Sequence, residues 1–230
     1  MSDDLIFREV DEDLRHEQLH AFWKRFGPYF LGGAALIIVG VAGYKGWTAY
    51  SASQAASSGA RYEEALRDVN GGKEGDALKA LGELAQTGSG DYPDLARLTA
   101  AAAKSRTGDV DGALADYDAL AANAADPLMR DLARLKAAMA VLDSSSQEEV
   151  ARRVGDLAAT PGPWRNLARE ILGLAAYKAG NLALAGSFFE DILADAGASA
   201  EIRQRAEVMV SLMAPQRLDG EKKPEEKAAQ

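Results

Sequence analysis

The chain has 230 residues and a formal net charge of -9, and 47% of its residues are hydrophobic while only 7% are aromatic. The acidic balance excludes the basic surface that nucleic-acid binding needs, and the absence of cysteine excludes disulfides and thiolate chemistry. A chain of this length holds one or two domains. Because alanine is abundant and aromatics are scarce, closely packed helices are favoured over a strand sandwich.

Residues 1–25 form a short polar segment that begins with an acidic run and then takes on the apolar spacing of a helix. His16 and His20 are four residues apart, a spacing that places two metal ligands on one helix face. No third ligand is patterned nearby. The sequence therefore favours a solvated helix, and we predict neither a metal nor a cofactor.

No charged residue interrupts residues 26–44, and Arg25 and Lys45 flank this apolar run. A helix of that length reaches about 28 Å, close to the thickness of the hydrocarbon core of a bilayer. The sequence predicts one transmembrane helix at residues 26–47. Aromatic residues typical of membrane interfaces lie at both ends of the run. They are Trp23, Tyr29, Tyr44, Trp47 and Tyr50.

The basic residues around the apolar run predict its orientation. Four Lys or Arg residues precede it, whereas only Lys45 follows it before Arg61. The positive-inside rule then places the N-terminus in the cytoplasm and the long C-terminal part outside. A cleaved signal peptide is the alternative, because Ser53-Gln54-Ala55 resembles a cleavage site. The long acidic leader and the length of the apolar run favour a retained anchor.

Small residues within the apolar run leave self-association open. Gly33 and Gly40 share a helix face, and Ala42 and Gly46 have the small-xxx-small spacing of packed membrane helices. A homo-oligomer that contacts itself through the anchor is therefore one alternative.

Residues 48–214 contain an internal repeat. Pro93, Pro127 and Pro161 are 34 residues apart, which is the period of tetratricopeptide (TPR) helix-turn-helix repeats. The best copy runs from 166 to 195 and has small and aromatic residues in the TPR order. These residues are Leu172-Gly173, Tyr177, Gly180-Asn181, Ala185 and Phe189.

Three weaker copies precede that one, and one helix follows it. The turns of the weaker copies are predicted at Gly71-Gly72, Gly108-Asp109 and Ser144-Ser145. The helix that follows, about Ala200 to Met213, has no partner and fits the role of a cap.

The predicted fold is all-α, with a single N-terminal transmembrane helix followed by a TPR-like α-solenoid of about four helix pairs plus a capping helix. The N-terminal segment at 1–25, the transmembrane helix at 26–47 and the TPR-like domain at 48–214 are its predicted domains. Residues 215–230 are charged, with few apolar residues to bury, and are predicted to be a disordered tail.

One position departs from the common TPR pattern in all four copies. Where Trp is usual near the start of each first helix, the chain has Arg61, Arg97, Arg134 and Arg169. We interpret them as a ladder in which the aliphatic stems pack between repeats and the guanidinium groups reach neighbouring Asp or Glu. Ordinary surface arginines are the alternative.

The sequence offers no catalytic constellation. Both histidines lie within residues 1–25, so the repeat region has neither a Ser-His-Asp nor a Cys-His arrangement. It also lacks a glycine-rich phosphate loop of the Walker or Rossmann type. We therefore predict that the protein is not an enzyme.

A repeat solenoid instead offers a long face lined by the first helix of each pair, to which protein partners bind. In this chain the predicted face is apolar, which suits extended or partly folded polypeptide or an amphipathic partner segment. The alternative is that the same residues are buried between repeats. The predicted groove residues are Tyr62, Leu66, Leu95, Leu98, Leu132, Leu135, Met139, Leu167, Leu174 and Tyr177.

The layout resembles the bacterial inner-membrane TPR proteins of the YfgM type, which are ancillary subunits of the SecYEG translocon. That family tends to have an acidic opening followed by a lead-in segment of the pattern Q-x-x-x-x-W-x-x-y-G. In this chain Gln18, Trp23 and Gly27 occupy the Gln, Trp and Gly positions of that pattern. The resemblance implies a cytoplasmic N-terminus, a periplasmic TPR domain and no catalytic residues. It also implies contacts with translocon subunits, a periplasmic chaperone or isomerase, and exported polypeptides.

A second function stays open, because a related TPR domain occurs in the periplasmic cell-division coordinator family. On that alternative the protein is a structural coordinator of envelope or cell-division assembly that acts through TPR-mediated oligomerisation. The two functions differ in their partners.

Overall fold

A computed structural model describes the backbone of residues 3–228 and the side chains of Lys24, Tyr29, 31–33 and 35–215. Within those residues the chain forms nine helices and no strand, which confirms the all-α prediction. The helices are α1 (Asp3–Asn70), α2 (Glu74–Thr87), α3 (Tyr92–Arg106), α4 (Val110–Asn123), α5 (Pro127–Ala140), α6 (Gln147–Ala159), α7 (Arg165–Lys178), α8 (Leu182–Ala194) and α9 (Ala200–Ala228).

The chain divides into two units, Met1–Ala56 and Ser57–Gln230. In the second unit the helices from α2 to α9 pack mainly against their neighbours in sequence. The end of α1 packs with α2 and α3 through Ala65 and Leu81. Four helix pairs, from the end of α1 with α2 through α7 with α8, therefore precede α9, as the repeat analysis predicts.

The turns within the pairs occur at the predicted positions. Gly72, Gly108 and Gly180 have positive φ angles of 77°, 90° and 77°. This left-handed conformation is easily reached only by glycine, and it ends a helix sharply. The third pair turns without glycine, through hydrogen bonds from the Ser144 and Ser145 amides to the Val141 carbonyl. Each turn lets the second helix fold back on the first.

A side-chain cap starts the second helix in three of the four pairs. Asp109 accepts a hydrogen bond from the Gly112 amide at 3.0 Å, and Ser146 and Asn181 cap α6 and α8 in the same way. Such a cap satisfies one of the amides that a helix start leaves unpaired. The first pair differs, because Lys73 precedes α2 and provides no side-chain cap.

Small residues allow the helices of a pair to approach closely. Ala185 and Phe189 of α8 are 0% exposed, and Phe189 packs over Gly173 of α7. A Cβ atom added to Gly173 would lie 2.9 Å from Phe189 Cζ, closer than carbon atoms pack in proteins. The Leu172-Gly173 position of the repeat is therefore a close helix contact.

Helix α9 extends further than the predicted cap. Its first part covers the last pair with Ala206 and Met213, both 0% exposed, and the helix continues to Ala228. The predicted disordered tail concerns residues 215–230, and from 216 onward the side chains lie outside the described residues. The tail therefore stays a prediction, as do the predicted domain boundaries.

Candidate functional site

One helix in the described part of the chain is long and apolar enough to cross a membrane. It is α1, in which an 18-residue window within Leu31–Asn70 has a mean hydropathy of 1.2 and is 0% buried. Leu36 and Ile37 are 75% and 69% exposed, so this apolar surface packs against nothing within the described residues. A single such helix near the N-terminus is weak evidence for an anchor, because a signal sequence has the same composition.

The aromatic residues at the ends of the apolar run are exposed where their side chains are described. Tyr29, Tyr44, Trp47 and Tyr50 are 61–75% exposed. The side chains of Trp23, His16, His20 and the lead-in residues Gln18 and Gly27 lie outside the described residues. Among the described residues, no group of three or more His, Cys, Asp or Glu is placed to hold a metal ion.

The ten predicted groove residues differ in exposure. Leu135 is 0% exposed and packs with Val150 and Val154 in a core cluster, so it is not available to a partner. Its cluster includes residues of both α6 and α7, so Leu135 fits the alternative of burial between repeats and not an open groove. Met139, one turn further along α5, is 48% exposed.

The other eight groove residues are half-buried, and most of them contact the cores between repeats. Tyr62 donates or accepts a hydrogen bond with Thr99 at 2.8 Å, which joins the first pair to the second. Leu98 and Tyr177 pack against core clusters that also include residues of a later helix of the array, Ala137 of α5 and Ala206 of α9. The structure thus combines the two interpretations, with side chains partly buried between repeats and partly open. The eight are Tyr62, Leu66, Leu95, Leu98, Leu132, Leu167, Leu174 and Tyr177.

Three of the four repeated arginines reach the second helix of their own pair. Arg134 donates to the Arg153 carbonyl at 2.9 Å and forms a bidentate ion pair with Asp156, which holds the pKa of Asp156 below its ordinary value. Arg169 donates to the Asp191 carbonyl at 3.3 Å, and Arg61 to Thr87 at 3.3 Å.

Arg97, the fourth of these arginines, instead forms an ion pair with Asp94 of its own helix, at 3.9 Å. Three of the four guanidinium groups therefore reach an Asp, as the ladder interpretation expects, since Arg169 also lies 3.6 Å from Asp195. The packing of the arginine stems between repeats stays a prediction. Thr87 is the last residue of α2, and the Asp191 carbonyl lies in the last turn of α8, where the helix dipole favours a cation.

Other ion pairs join one repeat to the next. Arg153 of α6 lies 2.6 Å from Asp118 of α4, and Arg205 of α9 makes two hydrogen bonds of 2.5 and 2.7 Å to Glu170 of α7. In each pair the two residues are 35 positions apart in the sequence. These pairs were not predicted from the sequence, although opposite charges one repeat apart were a signal for them.

A polar cluster fixes the junction between α8 and α9. Asp195 accepts hydrogen bonds from the Gly197 amide at 2.9 Å, from Asn166 at 2.9 Å and from Arg165 at 2.5 Å. The Gly197 amide first, then Asn166 and Arg165, lower the pKa of Asp195 from 3.8 to about 2. These contacts therefore favour the ionised form of Asp195 in the folded protein.

One cleft among the described residues lies between α7 and α9. Its volume is about 480 Å³, and it is mostly apolar. Leu174 is the one predicted groove residue that lines it, and the remaining lining residues come from α9 and from Glu170. The lining residues are Glu170, Leu174, Glu201, Gln204, Arg205, Val208 and Met209.

The comparison with known families agrees with this architecture. The family described as tetratricopeptide repeat-like domain matches residues 20–212, which is most of the chain. No curated protein and no solved structure matches the chain. Folds of this kind are generally non-catalytic scaffolds that bind other proteins. Since the match covers the four helix pairs and the start of α9, the chain belongs to the tetratricopeptide repeat-like domain family.

Proposed function

We propose that the protein is a membrane-anchored TPR scaffold that links the SecYEG translocon to periplasmic chaperones during protein export. One observation carries the proposal: an exposed apolar helix segment precedes, in the same chain, a TPR-like array of four pairs. The first part is suited to hold the protein in a membrane, and the second to bind protein partners.

The proposal includes the domain organisation of the sequence analysis. Residues 1–25 are the cytoplasmic segment, 26–47 the single span and 48–214 the periplasmic TPR-like domain. The excess of Lys and Arg on the N-terminal side of the apolar run supports this orientation. The resemblance to the YfgM-type family supports the bacterial inner membrane and the translocon as the place of action.

The proposed partner surface is the first-helix face of the repeats. Met139 and Leu174 are the residues that support it most directly, since Met139 is 48% exposed and Leu174 lines the cleft. Apolar side chains on a helix face bind amphipathic or partly folded segments, which exported polypeptides offer before they fold.

Site-specific photo-crosslinking in native membranes tests the proposal. A photoreactive amino acid replaces Met139, and a matched control replaces Arg152 of α6, whose side chain is 71% exposed. We expect translocon subunits and a periplasmic chaperone or isomerase to crosslink at position 139 and not at position 152. Recovery of only envelope-synthesis or cell-division proteins would overturn the translocon role and favour the structural coordinator.

A further inference from the structure

Helix α9 repeats the positions of α7 with a shift of 35 residues. The two helices start at Ala200 and Arg165, and the Arg205–Glu170 ion pair joins equivalent positions. With this shift, Val208 of α9 holds the place that Gly173 has in α7. The α9 helix therefore has the position of the first helix of a fifth pair.

The second helix of that fifth pair is missing from the described residues, where α9 is the last element. In the fourth pair, Phe189 of α8 covers Gly173. Among the described side chains, none covers the equivalent face of α9, where Val208 and Leu212 are 61% and 49% exposed. The open face lies where the repeat pattern places another helix.

The same face forms a wall of the cleft between α7 and α9. Val208 lines the cleft together with the apolar side chains of Leu174 and Met209. The cleft volume of about 480 Å³ accommodates one or two large apolar side chains. An occupant can thus insert an apolar anchor beside the face on which its own helix packs.

The charged side chains that line the cleft favour an occupant with positive charge. Two carboxylates, Glu170 and Glu201, and one guanidinium, Arg205, line it, so the net charge is negative. Arg205 is engaged with both carboxylate oxygens of Glu170. Glu201 is exposed, and its own backbone amide and Ser199 lower its pKa, so it presents a negative charge at the rim.

We propose that the α9 face and the cleft beside it bind an amphipathic helix of a protein partner, which inserts a bulky apolar side chain and carries Lys or Arg next to it. The partner helix takes the place of the missing second helix of the fifth pair. This inference rests on the proposed function, because it assigns the partner class and the position of one scaffold contact. The excess of acidic over basic residues in the repeat region, 24 against 17 within 48–214, further favours a basic partner.

Peptide binding to the full-length chain tests the inference. The protein is placed in phosphatidylcholine nanodiscs, and the probe is a fluorescein-labelled peptide of Leu, Ala and Lys, of about 18 residues so that it can form a helix. The matched peptide has Glu in place of every Lys, and empty nanodiscs measure binding to lipid. Fluorescence anisotropy gives the affinities. We expect the Lys peptide to bind at least about tenfold more tightly than the Glu peptide.

Three variants locate the binding. Val208→Gln removes the exposed apolar residue and is expected to weaken binding of the Lys peptide about five- to tenfold. Glu201→Gln is expected to weaken it about two- to threefold and to reduce its salt dependence, since a screened charge is lost. Leu128→Gln, at an apolar position that is 51% exposed, is the control and should leave the affinity unchanged. Circular dichroism checks that each variant keeps its helicity.

The outcomes separate the inference from the proposed function. Equal binding of the two peptides, or an unchanged affinity of Val208→Gln, overturns the inference, and crosslinking at position 139 is independent of either result. Light scattering of the nanodisc-embedded chain tests a second copy as the occupant. A dimer that Val208→Gln dissociates would assign the face to self-association and also overturn the inference.

Discussion

At the scale of single residues, Gly173 shows how the absence of a side chain decides the distance between two helices. Its place in α7 lies under the ring of Phe189, which is 0% exposed and surrounded by the core of the fourth pair. The ring has no free space to move into, so the contact depends on glycine. The TPR pattern in the sequence identified both residues, and the contact is its physical reason.

Gly173→Ala is expected to destabilise the protein by about 1–3 kcal/mol, because the new methyl group overpacks the contact with Phe189. Gly155→Ala in α6 is the matched control, since a Cβ there meets nothing within 4 Å. The control should be neutral or stabilising by up to about 1 kcal/mol, because alanine favours helix over glycine. Urea unfolding of the detergent-solubilised chain measures both changes, and equal destabilisation would contradict the close-contact interpretation.

The repeated arginines mark a limit of sequence analysis at this scale. Their common frame was visible, but their partners were not, because a long side chain can reach forward to the next repeat or across to its own. Arg134 turns to α6 because Asp156 and the Arg153 carbonyl both lie within its reach on that helix. On α4, Asp116 and Asp118 pair with Lys104 and Arg153. Arg97 pairs with Asp94 of its own helix instead.

At the scale of helices, the start of α2 is the one second-helix start without a side-chain cap. The backbone angles of Lys73 are φ −90° and ψ 58°, close to the −84° and 72° of the cap residue Asn181. The conformation of a capping residue is therefore already present at position 73, and only the side chain is unsuitable. Asp109 of the second pair has the same geometry.

Lys73→Asn is expected to stabilise the protein by about 0.5–1 kcal/mol, because the new side chain accepts a hydrogen bond from the start of α2. The Lys73–Asp68 ion pair is lost, but Lys73 is 66% exposed and such pairs contribute little. Ser146→Ala, which removes an existing cap, should cost about 1 kcal/mol. Thermal unfolding followed by circular dichroism measures both, and a loss of stability in Lys73→Asn would refute the capping argument.

The stability of the folded protein is expected to depend on pH because of Asp195, which lies at the junction of α8 and α9. The folded-state pKa of Asp195 is about 2, below its ordinary value of 3.8, so ionised Asp195 stabilises the folded state above about pH 4. This stability is lost as the pH is lowered from about 4 to 2, because the unfolded state binds the proton first. Asp195→Asn removes the titration. We expect the gap in melting temperature between wild type and variant to be largest above pH 4 and to narrow towards pH 2; a constant gap would exclude Asp195 as the cause.

At the scale of the whole molecule, the repeat array is built from contacts between neighbours. Each pair packs on the next, and polar contacts such as Arg153–Asp118 and Tyr62–Thr99 join adjacent repeats. Stability in such arrays is approximately a sum over repeats and their interfaces. Among the described residues, α9 has no second helix packed on it, and its Val208 and Leu212 stay exposed.

The absence of cysteine makes the proposed membrane orientation directly testable. Single cysteines are introduced as Ser2→Cys and, beyond the apolar run, Ser53→Cys, where Ser53 is exposed. In spheroplasts, a membrane-impermeant maleimide should label position 53 at once and position 2 only after permeabilisation. The reverse pattern would refute the orientation that the basic residues predict, and loss of the N-terminal segment from the mature protein would favour a signal peptide.

The sequence by itself determined the helical class, the number of pairs and the positions of the turns. These features depend on residues that act locally, so they can be read from composition and spacing. Gly108 and Gly180 are examples, because the turns there need the positive φ angles that glycine adopts. The apolar run was also evident, because an uninterrupted stretch without charged residues can be read directly from the sequence.

Only the tertiary structure decided which side chains are open. Leu135 and Met139 lie one turn apart on α5, and both are apolar, yet one is 0% and the other 48% exposed. Their exposure depends on how α6 and α7 pack on α5, which spacing along one helix does not record. The cleft beside Val208 has the same origin, since it exists because α9 follows α7 as a first helix and no second helix covers it in the described chain.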